Sequence, residues 1–121
     1  METKQSDIQR WQTSPEGQFF ERKSARDRRK GRVKPRKVKE IAWDVAETLS
    51  AMANADAGEL IVGIENDGTL SGVPLPDKKI QLLLGVPRDR NYVNPPLPCS
   101  AREVVAPDGA RSAPFRCRLE P

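Results

Sequence analysis

The chain of 121 residues contains no histidine, and aromatic side chains make up only 5% of it. The lack of histidine excludes a histidine-dependent catalytic triad, a histidine general base and a histidine-ligated metal. No apolar run approaches the ~20 residues that cross a bilayer, and the polar N-terminus does not resemble a secretory signal. We therefore expect one small cytoplasmic domain with a modest aliphatic core and no membrane contact.

Cysteine occurs only twice, at Cys99 and Cys117. The pair lacks the CxxC spacing and the histidine partners of a structural zinc site. Because no export signal is present, we expect two buried, reduced thiols. The composition also predicts no cofactor, unless the chain proves to be a metal-dependent nuclease.

Positive charge is concentrated in residues 22–39, which carry eleven basic side chains against the single acid Asp27. This window has a net charge of +10, so the rest of a chain whose total is +4 carries −6. Such a concentration predicts a polyanionic partner, and nucleic acid is the commonest one. The alternative is a solvated loop whose charge only aids solubility. The expected phosphate contacts are Lys23, Arg26, Arg28, Arg29, Lys30, Arg32, Lys34, Arg36 and Lys37.

The hydrophobic pattern places helices and irregular segments. Residues 1–14 are polar and aperiodic, which predicts a flexible tail before a domain over residues 15–121. Residues 25–34 also lack a period and predict a mobile basic loop. After Pro35, apolar residues recur at steps of three and four, which predicts a long helix over residues 38–53. A short second helix is expected over residues 77–84.

The strands form the remaining part of the pattern. Residues 59–65 are apolar on both alternating faces, which predicts a central strand covered on both sides. Asn66-Asp67-Gly68 predicts a tight turn, and residues 69–73 its returning strand. Further strands are expected over residues 18–24, 100–106 and 113–119. The predicted fold class is α/β, a small mixed sheet with one long and one short flanking helix.

Acidic residues lie on both sides of the basic segment in the sequence. Glu16 and Glu21 precede it, and Glu65 and Asp67 follow at the end of the central strand. Two or three carboxylates can hold Mg²⁺ or Mn²⁺ and activate water for phosphodiester hydrolysis. Glu16 and Glu21 are five residues apart, so they converge only if the turn at Pro15-Gly17 bends the chain. The alternative is that Glu21 simply pairs with Arg22 or Lys23.

The order of several motifs carries a family resemblance. They are Glu16–x4–Glu21–x–Lys23, a helix ending in Ser50-Ala51-Met52-Ala53-Asn54, Gly58-Glu59-Leu60-Ile61-Val62-Gly63-Ile64, and Asp67-Gly68–x3–Gly72-Val73. This order resembles the Schlafen AlbA_2 family over roughly residues 15–119. The resemblance implies an α/β fold with a mixed sheet. It also implies either a domain of bacterial transcription regulators that binds nucleic acid, or a nuclease core with a Glu, Glu, Asp triad, as in vertebrate Schlafens that act on transfer RNA.

Carried over to this chain, the first two nuclease acids fall on Glu16 and Glu21 and the third near Glu65 or Asn66. If the chain is a nuclease, Glu16, Glu21 and Glu65 would hold the metal, with Asp67 as a substitute acid. We expect instead a DNA- or RNA-binding domain of a bacterial regulator, with low sequence specificity and no enzymatic activity. The alternatives are a Mg²⁺- or Mn²⁺-dependent endoribonuclease and a regulatory protein-interaction module. A homodimer and a further C-terminal domain are the protein partners left open.

Overall fold

A mixed β-sheet with helices on both faces forms the centre of the molecule. The structure, a computed structural model, describes residues 5–55 and 57–118. The elements in chain order are α1 Gln5–Thr13, β1 Phe20–Lys23, β2 Arg26–Asp27, β3 Lys34–Pro35, α2 Val38–Asn54, β4 Ala57–Val62, α3 Asp77–Leu84, β5 Cys99–Ala101, β6 Val104–Val105 and β7 Arg111–Arg118. The strand order in the sheet is β1-β4-β7-β5, with β6 also paired to β7, and β2 pairs with β3 separately. The α/β expectation is confirmed.

The central strand of the sheet is β4, as its apolar sequence predicts. It runs parallel to β1 and antiparallel to β7. Leu60 and Val62 are fully buried in the larger core, which α2 and α3 cover. Ile61 and Ile64 are fully buried in a second core on the opposite face. Both faces of this strand are therefore removed from water, which explains why it lacks polar alternation.

The long helix α2 follows the predicted pattern closely. It buries Ile41, Val45, Leu49 and Met52 along one stripe. Its end approaches β4 so closely that an added Cβ at Gly58 would lie 2.5 Å from the Met52 sulfur. The short helix α3 spans the predicted residues 77–84. No helix in the described ranges is both long and apolar enough to cross a membrane.

The prediction of a flexible tail over residues 1–14 is wrong for Gln5–Thr13, which form α1. This helix places Ile8 and Trp11 in the second core, and Trp11 is only 1% exposed. Two apolar residues at a spacing of three are too few to reveal a helical period in the sequence. The contact of these residues with the rest of the protein supplies most of the stability of the helix. Residues 1–4 of the predicted tail lie outside the described part of the chain.

The prediction of a loop over residues 25–34 is corrected, because residues 26–35 form an antiparallel hairpin that we call the basic hairpin. The Arg26 guanidinium donates two hydrogen bonds to the Ser71 carbonyl oxygen, at 3.1 and 2.7 Å. The Asp27 carboxylate accepts hydrogen bonds from the backbone and the guanidinium of Arg29. These contacts are made by polar side chains and leave no hydrophobic period in the sequence.

Residues 69–73 do not return as a strand of the sheet. They form only a single bridge, between Ile64 and Leu70. Both edges of β4 are already occupied, by β1 and β7, so no ladder position remains for a third partner. The expected strands over residues 100–106 and 113–119 are confirmed in β5, β6 and β7, although residue 119 lies outside the described part.

The two cysteines are buried as expected, but they are joined by a disulfide and are not reduced thiols. Antiparallel pairing of β5 with β7 places Cys99 directly opposite Cys117, with their Cα atoms 4.1 Å apart. The pairing register is a long-range property, so the spacing in the sequence does not reveal it.

Candidate functional site

A pocket of about 340 Å³, which we call the acidic pocket, lies where the parallel strands β1 and β4 end. It brings together three of the acids that the sequence singles out, Glu16, Glu21 and Glu65. The carboxyl ends of parallel strands commonly form ligand sites, because the chain leaves the sheet there in loops. The remaining lining residues are Arg22, Lys23, Ser24 and Asn66.

Glu16 reaches this pocket through a bend in the chain. The Gly17 amide donates a hydrogen bond to the Phe20 carbonyl oxygen at 3.0 Å, which folds the segment back before β1. The Arg22 amide then donates to Glu16 Oε2 at 3.3 Å. The convergence of Glu16 and Glu21, conditional on a turn here, is therefore what the structure shows.

Glu21 and Lys23 project from β1 toward α2, as two residues on the same face of a strand should. Lys23 Nζ lies 3.5 Å from Glu21 Oε2 and 3.2 Å from Asp44 Oδ1. The Thr48 hydroxyl donates to Glu21 Oε2 at 3.3 Å. Burial would lower the pKa of Lys23, but the hydrogen bond and charge of Asp44 outweigh it and raise that pKa. Lys23 is therefore a fixed cation in the pocket wall.

Glu65 is held by donors from two directions. The Ser71 hydroxyl donates to Oε2, and Arg28 Nε donates to Oε1 at 3.1 Å. Burial would raise the pKa of Glu65, but hydrogen bonds from neighbouring hydroxyl groups and from Arg28 hold it below its ordinary value. Asp67 is not among the pocket-lining residues, and its carboxylate accepts the Thr69 amide at 2.9 Å in the turn after β4.

The three pocket acids do not fit a metal ion as the structure arranges them. Glu16 pairs with Arg22, Glu21 with Lys23 and Glu65 with Arg28. Among the described residues, no three acidic, cysteine or histidine side chains stand close enough together to hold a metal. Crowded carboxylates that await a cation should have raised pKa values, whereas the pKa of Glu65 is lowered.

Arg22 is the least expected member of the site. Although its side chain is charged, its residue surface is only 6% exposed. Its Nε donates to the Trp11 carbonyl oxygen at 2.7 Å, and its terminal nitrogen donates to the Ser14 carbonyl oxygen. A cation at the C-terminus of α1 satisfies carbonyl groups and favours the helix dipole. Arg22 thus links α1, β1 and Glu16.

The basic residues expected to bind phosphate fall into two groups. Lys23, Arg26 and Arg36 are partly buried and engaged within the protein, and Arg36 contacts both Glu40 and Asp44 at 3.1 Å. The others for which the structure describes a side chain are exposed, and the Lys30 side chain lies outside the described part. The exposed cations are Arg28, Arg29, Arg32, Lys34 and Lys37.

Two contributors to the site come from α2 and are not singled out by the sequence. Asp44 and Thr48 are one helical turn apart, opposite Lys23 and Glu21 respectively. Their four-residue spacing on the polar helix face is the signal that could have indicated them, since residues at i and i+4 share a face.

The family model for Schlafen, AlbA_2 matches residues 16–108, well over half of the chain. The chain belongs to the Schlafen AlbA_2 family. The match spans Glu16, Glu21, the basic hairpin and the turn after β4, so it covers the whole pocket described above. Membership of this family points to a function related to nucleic acid. A comparison with curated proteins finds no match.

Proposed function

We propose that this AlbA_2 domain binds the phosphate backbone of DNA or RNA through the basic hairpin, with low sequence specificity, as the binding part of a regulator. The observation that carries the proposal is the ordered display of exposed cations on residues 28–37. Arg29 is 76% exposed, and hydrogen bonds to Asp27 fix its orientation. An ordered guanidinium loses less conformational entropy when it meets a phosphate than one on a mobile loop.

The position of the hairpin supports a continuous binding surface. The contact from Arg28 to Glu65 and the contact from Arg26 to Ser71 hold the hairpin against the segment that follows β4. That segment also forms the pocket wall at Glu65 and Asn66. A strand bound along the hairpin would pass beside the pocket. No base-reading element follows from these contacts, because they offer charge and not a pattern of donors and acceptors.

The decisive test is the salt dependence of binding. The variant Arg29→Ala/Arg32→Ala/Lys34→Ala should weaken the binding of all DNA and RNA sequences alike. Each phosphate contact contributes ~0.9 to the salt slope on duplexes and ~0.7 on single strands, so the slope should fall by about 2 to 3. Fluorescence anisotropy with a labelled oligonucleotide at several salt concentrations measures both quantities.

A matched control removes the same charge elsewhere. Lys78, Lys79 and Arg90 are exposed and lie outside both the hairpin and the pocket. Their triple alanine variant should change the slope little. Equal effects of the two triple variants would mean that net charge alone drives binding, and the assignment to the hairpin would be wrong.

A second candidate function is phosphodiester cleavage, which the convergence of Glu16, Glu21 and Glu65 on one pocket favours. Because each acid has its own cationic partner, we derive no metal-dependent step from this arrangement. Labelled transfer RNA and duplex DNA incubated with and without Mn²⁺ test the candidate. Cleavage that is lost in Glu21→Gln and kept in Glu47→Gln, an exposed control on α2, would establish the enzyme.

A further inference from the structure

A larger cleft of about 650 Å³ is lined by residues of α1, β4, β5, β7 and the segment after α3, and it shares no lining residue with the acidic pocket. Four of its lining residues are arginines, and all four lie outside the basic segment of the sequence. They are Arg10, Arg88, Arg102 and Arg116. We propose that this cleft, which we call the arginine cleft, binds a phosphomonoester group. The proposal goes beyond backbone binding by the basic hairpin and does not depend on it.

The pairing register builds the floor of the arginine cleft. Arg116 on β7 stands opposite Glu59 on β4 and opposite Ser100 on β5. The neighbouring residues Leu60, Phe115 and Cys117 point to the larger core on the other face of the sheet. Strand alternation therefore aligns one acid, one arginine and one hydroxyl across three strands on the α1 face.

The acid on this floor is already neutralised. Arg10 donates two hydrogen bonds to the Glu59 carboxylate, at 2.8 and 3.1 Å, and Trp11 Nε1 donates a third at 3.2 Å. Burial would raise the pKa of Glu59, but these donors and the charge of Arg116 hold it below its ordinary value. Glu59 is thus committed to α1 and does not need Arg116 as its partner.

The other three arginines remain available to an anion. Within the described ranges, no carboxylate lies at ion-pair distance from Arg88, Arg102 or Arg116. The Arg102 guanidinium carbon stands 5.8 Å from the centre of the buried Trp11 ring, a cation–π contact that holds it at the cleft. Three guanidinium groups around one cavity offer the forked donors that phosphate oxygens accept in pairs.

The charge of the cleft selects the kind of phosphate. Its four arginines and two acids, Asp7 and Glu59, give a net charge of +2. A phosphomonoester carries about −1.5 to −2 at neutral pH and would balance this charge. An internal phosphodiester, with a single negative charge, would leave half of it uncompensated. The cleft also lies within the ~300–1,000 Å³ typical of small-ligand sites, so a whole mononucleotide can enter.

The phosphomonoester group has two sources, a free nucleotide or the phosphorylated end of a nucleic-acid strand. Binding experiments separate the two. Isothermal titration with inorganic phosphate, adenosine monophosphate and adenosine tests the cleft directly. A short oligonucleotide with a 5′-phosphate, compared with the same sequence ending in 5′-hydroxyl, tests the strand end. An advantage for the phosphorylated strand assigns the strand end, and binding of the mononucleotide without such an advantage assigns the free nucleotide.

The double variant Arg102→Ala/Arg116→Ala should weaken the binding of adenosine monophosphate at least tenfold. The control Lys78→Ala/Lys79→Ala, which removes the same charge from α3, should leave this binding unchanged. Thermal melting checks that the variants are folded, and the single variant Arg88→Ala, on an exposed turn, repeats the test with a smaller change. The proposal is overturned if neither phosphate nor adenosine monophosphate binds the unchanged protein, if adenosine binds equally well, or if the arginine variants bind normally. None of these outcomes bears on the salt slope of the basic hairpin, so the two proposals fail separately.

Discussion

Replacing Arg22 with methionine should destabilise the domain more than any other change of one charged residue in the pocket. The Arg22 side chain is 5% exposed and donates to two backbone carbonyl oxygens at the end of α1. Hydrogen bonds from a charged group contribute about 1.5–3 kcal/mol each, and the abandoned carbonyl groups lose their partner. Methionine keeps the apolar stem but none of the donors. We therefore expect the free energy of unfolding to fall by about 3–5 kcal/mol.

That loss is large for a domain of this size, whose total stability is expected to be about 5–15 kcal/mol. A urea titration at neutral pH measures it through the midpoint, with the slope unchanged if α1 unfolds together with the sheet. Arg90→Met is the matched control, because Arg90 is exposed. Exposed charged side chains contribute about 0–1 kcal/mol.

Tryptophan fluorescence separates global from local effects. The chain has two tryptophans, of which Trp11 is 1% exposed and Trp43 is 49% exposed. In a Trp43→Phe background, Trp11 alone reports on the contact of α1 with the sheet. If Arg22→Met frees α1, its emission should shift to longer wavelength in buffer without urea. A loss below 1 kcal/mol together with unshifted emission would refute the reasoning that Arg22 anchors this helix.

Two further predictions concern charged groups elsewhere. Arg36→Ala should lower the free energy of unfolding by about 1–2 kcal/mol, since Arg36 contacts Glu40, Asp44 and the Ser24 carbonyl oxygen. Lys37→Glu should instead raise the free energy of unfolding by roughly a few tenths of a kcal/mol, because an acidic side chain interacts favourably with the N-terminus of a helix. Urea midpoints check both signs, and equal effects would contradict the separation of a structural arginine from an exposed lysine. The pKa of Glu59 lies below its ordinary value of 4.5, so its contribution is complete above pH 4.5 and is lost as the pH falls through the lower folded value. The stability difference between the unchanged protein and Glu59→Gln should therefore shrink between pH 7 and pH 3, and a difference that stays constant would contradict this linkage.

The parts of the fold that could be predicted are those that bury a regular stripe of side chains. The helix α2 places Ile41, Val45, Leu49 and Met52 on one face, so its period is visible in the sequence. The strand β4 is apolar on both faces because both are covered. By contrast, the buried apolar side chains of α1 are Ile8 and Trp11, and polar side chains hold the basic hairpin, so neither element leaves a hydrophobic period in the sequence.

The site shows the same division between local and long-range causes. The approach of Glu16 to Glu21 depends on a turn between them, and Pro15 and Gly17 indicate that turn in the sequence. The cationic partner of each acid is set partly by tertiary packing, as with Arg28, which reaches Glu65 only because the hairpin folds onto the segment after β4. The disulfide has a similar origin, since only the β5–β7 register places Cys99 opposite Cys117.

The contact between Arg28 and Glu65 couples the two halves of the candidate interface. Arg28 lies on the basic hairpin and Glu65 lines the acidic pocket, 3.1 Å apart between Nε and Oε1. A phosphate bound by Arg28 would compete with Glu65 for the same donors, because a guanidinium has a fixed fork of hydrogen bonds. Release of Glu65 would leave a carboxylate beside Glu16 and Glu21 with less positive charge around it. If the hairpin binds a polyanion as proposed, loss of the contact from Arg28 therefore makes the pocket more negative.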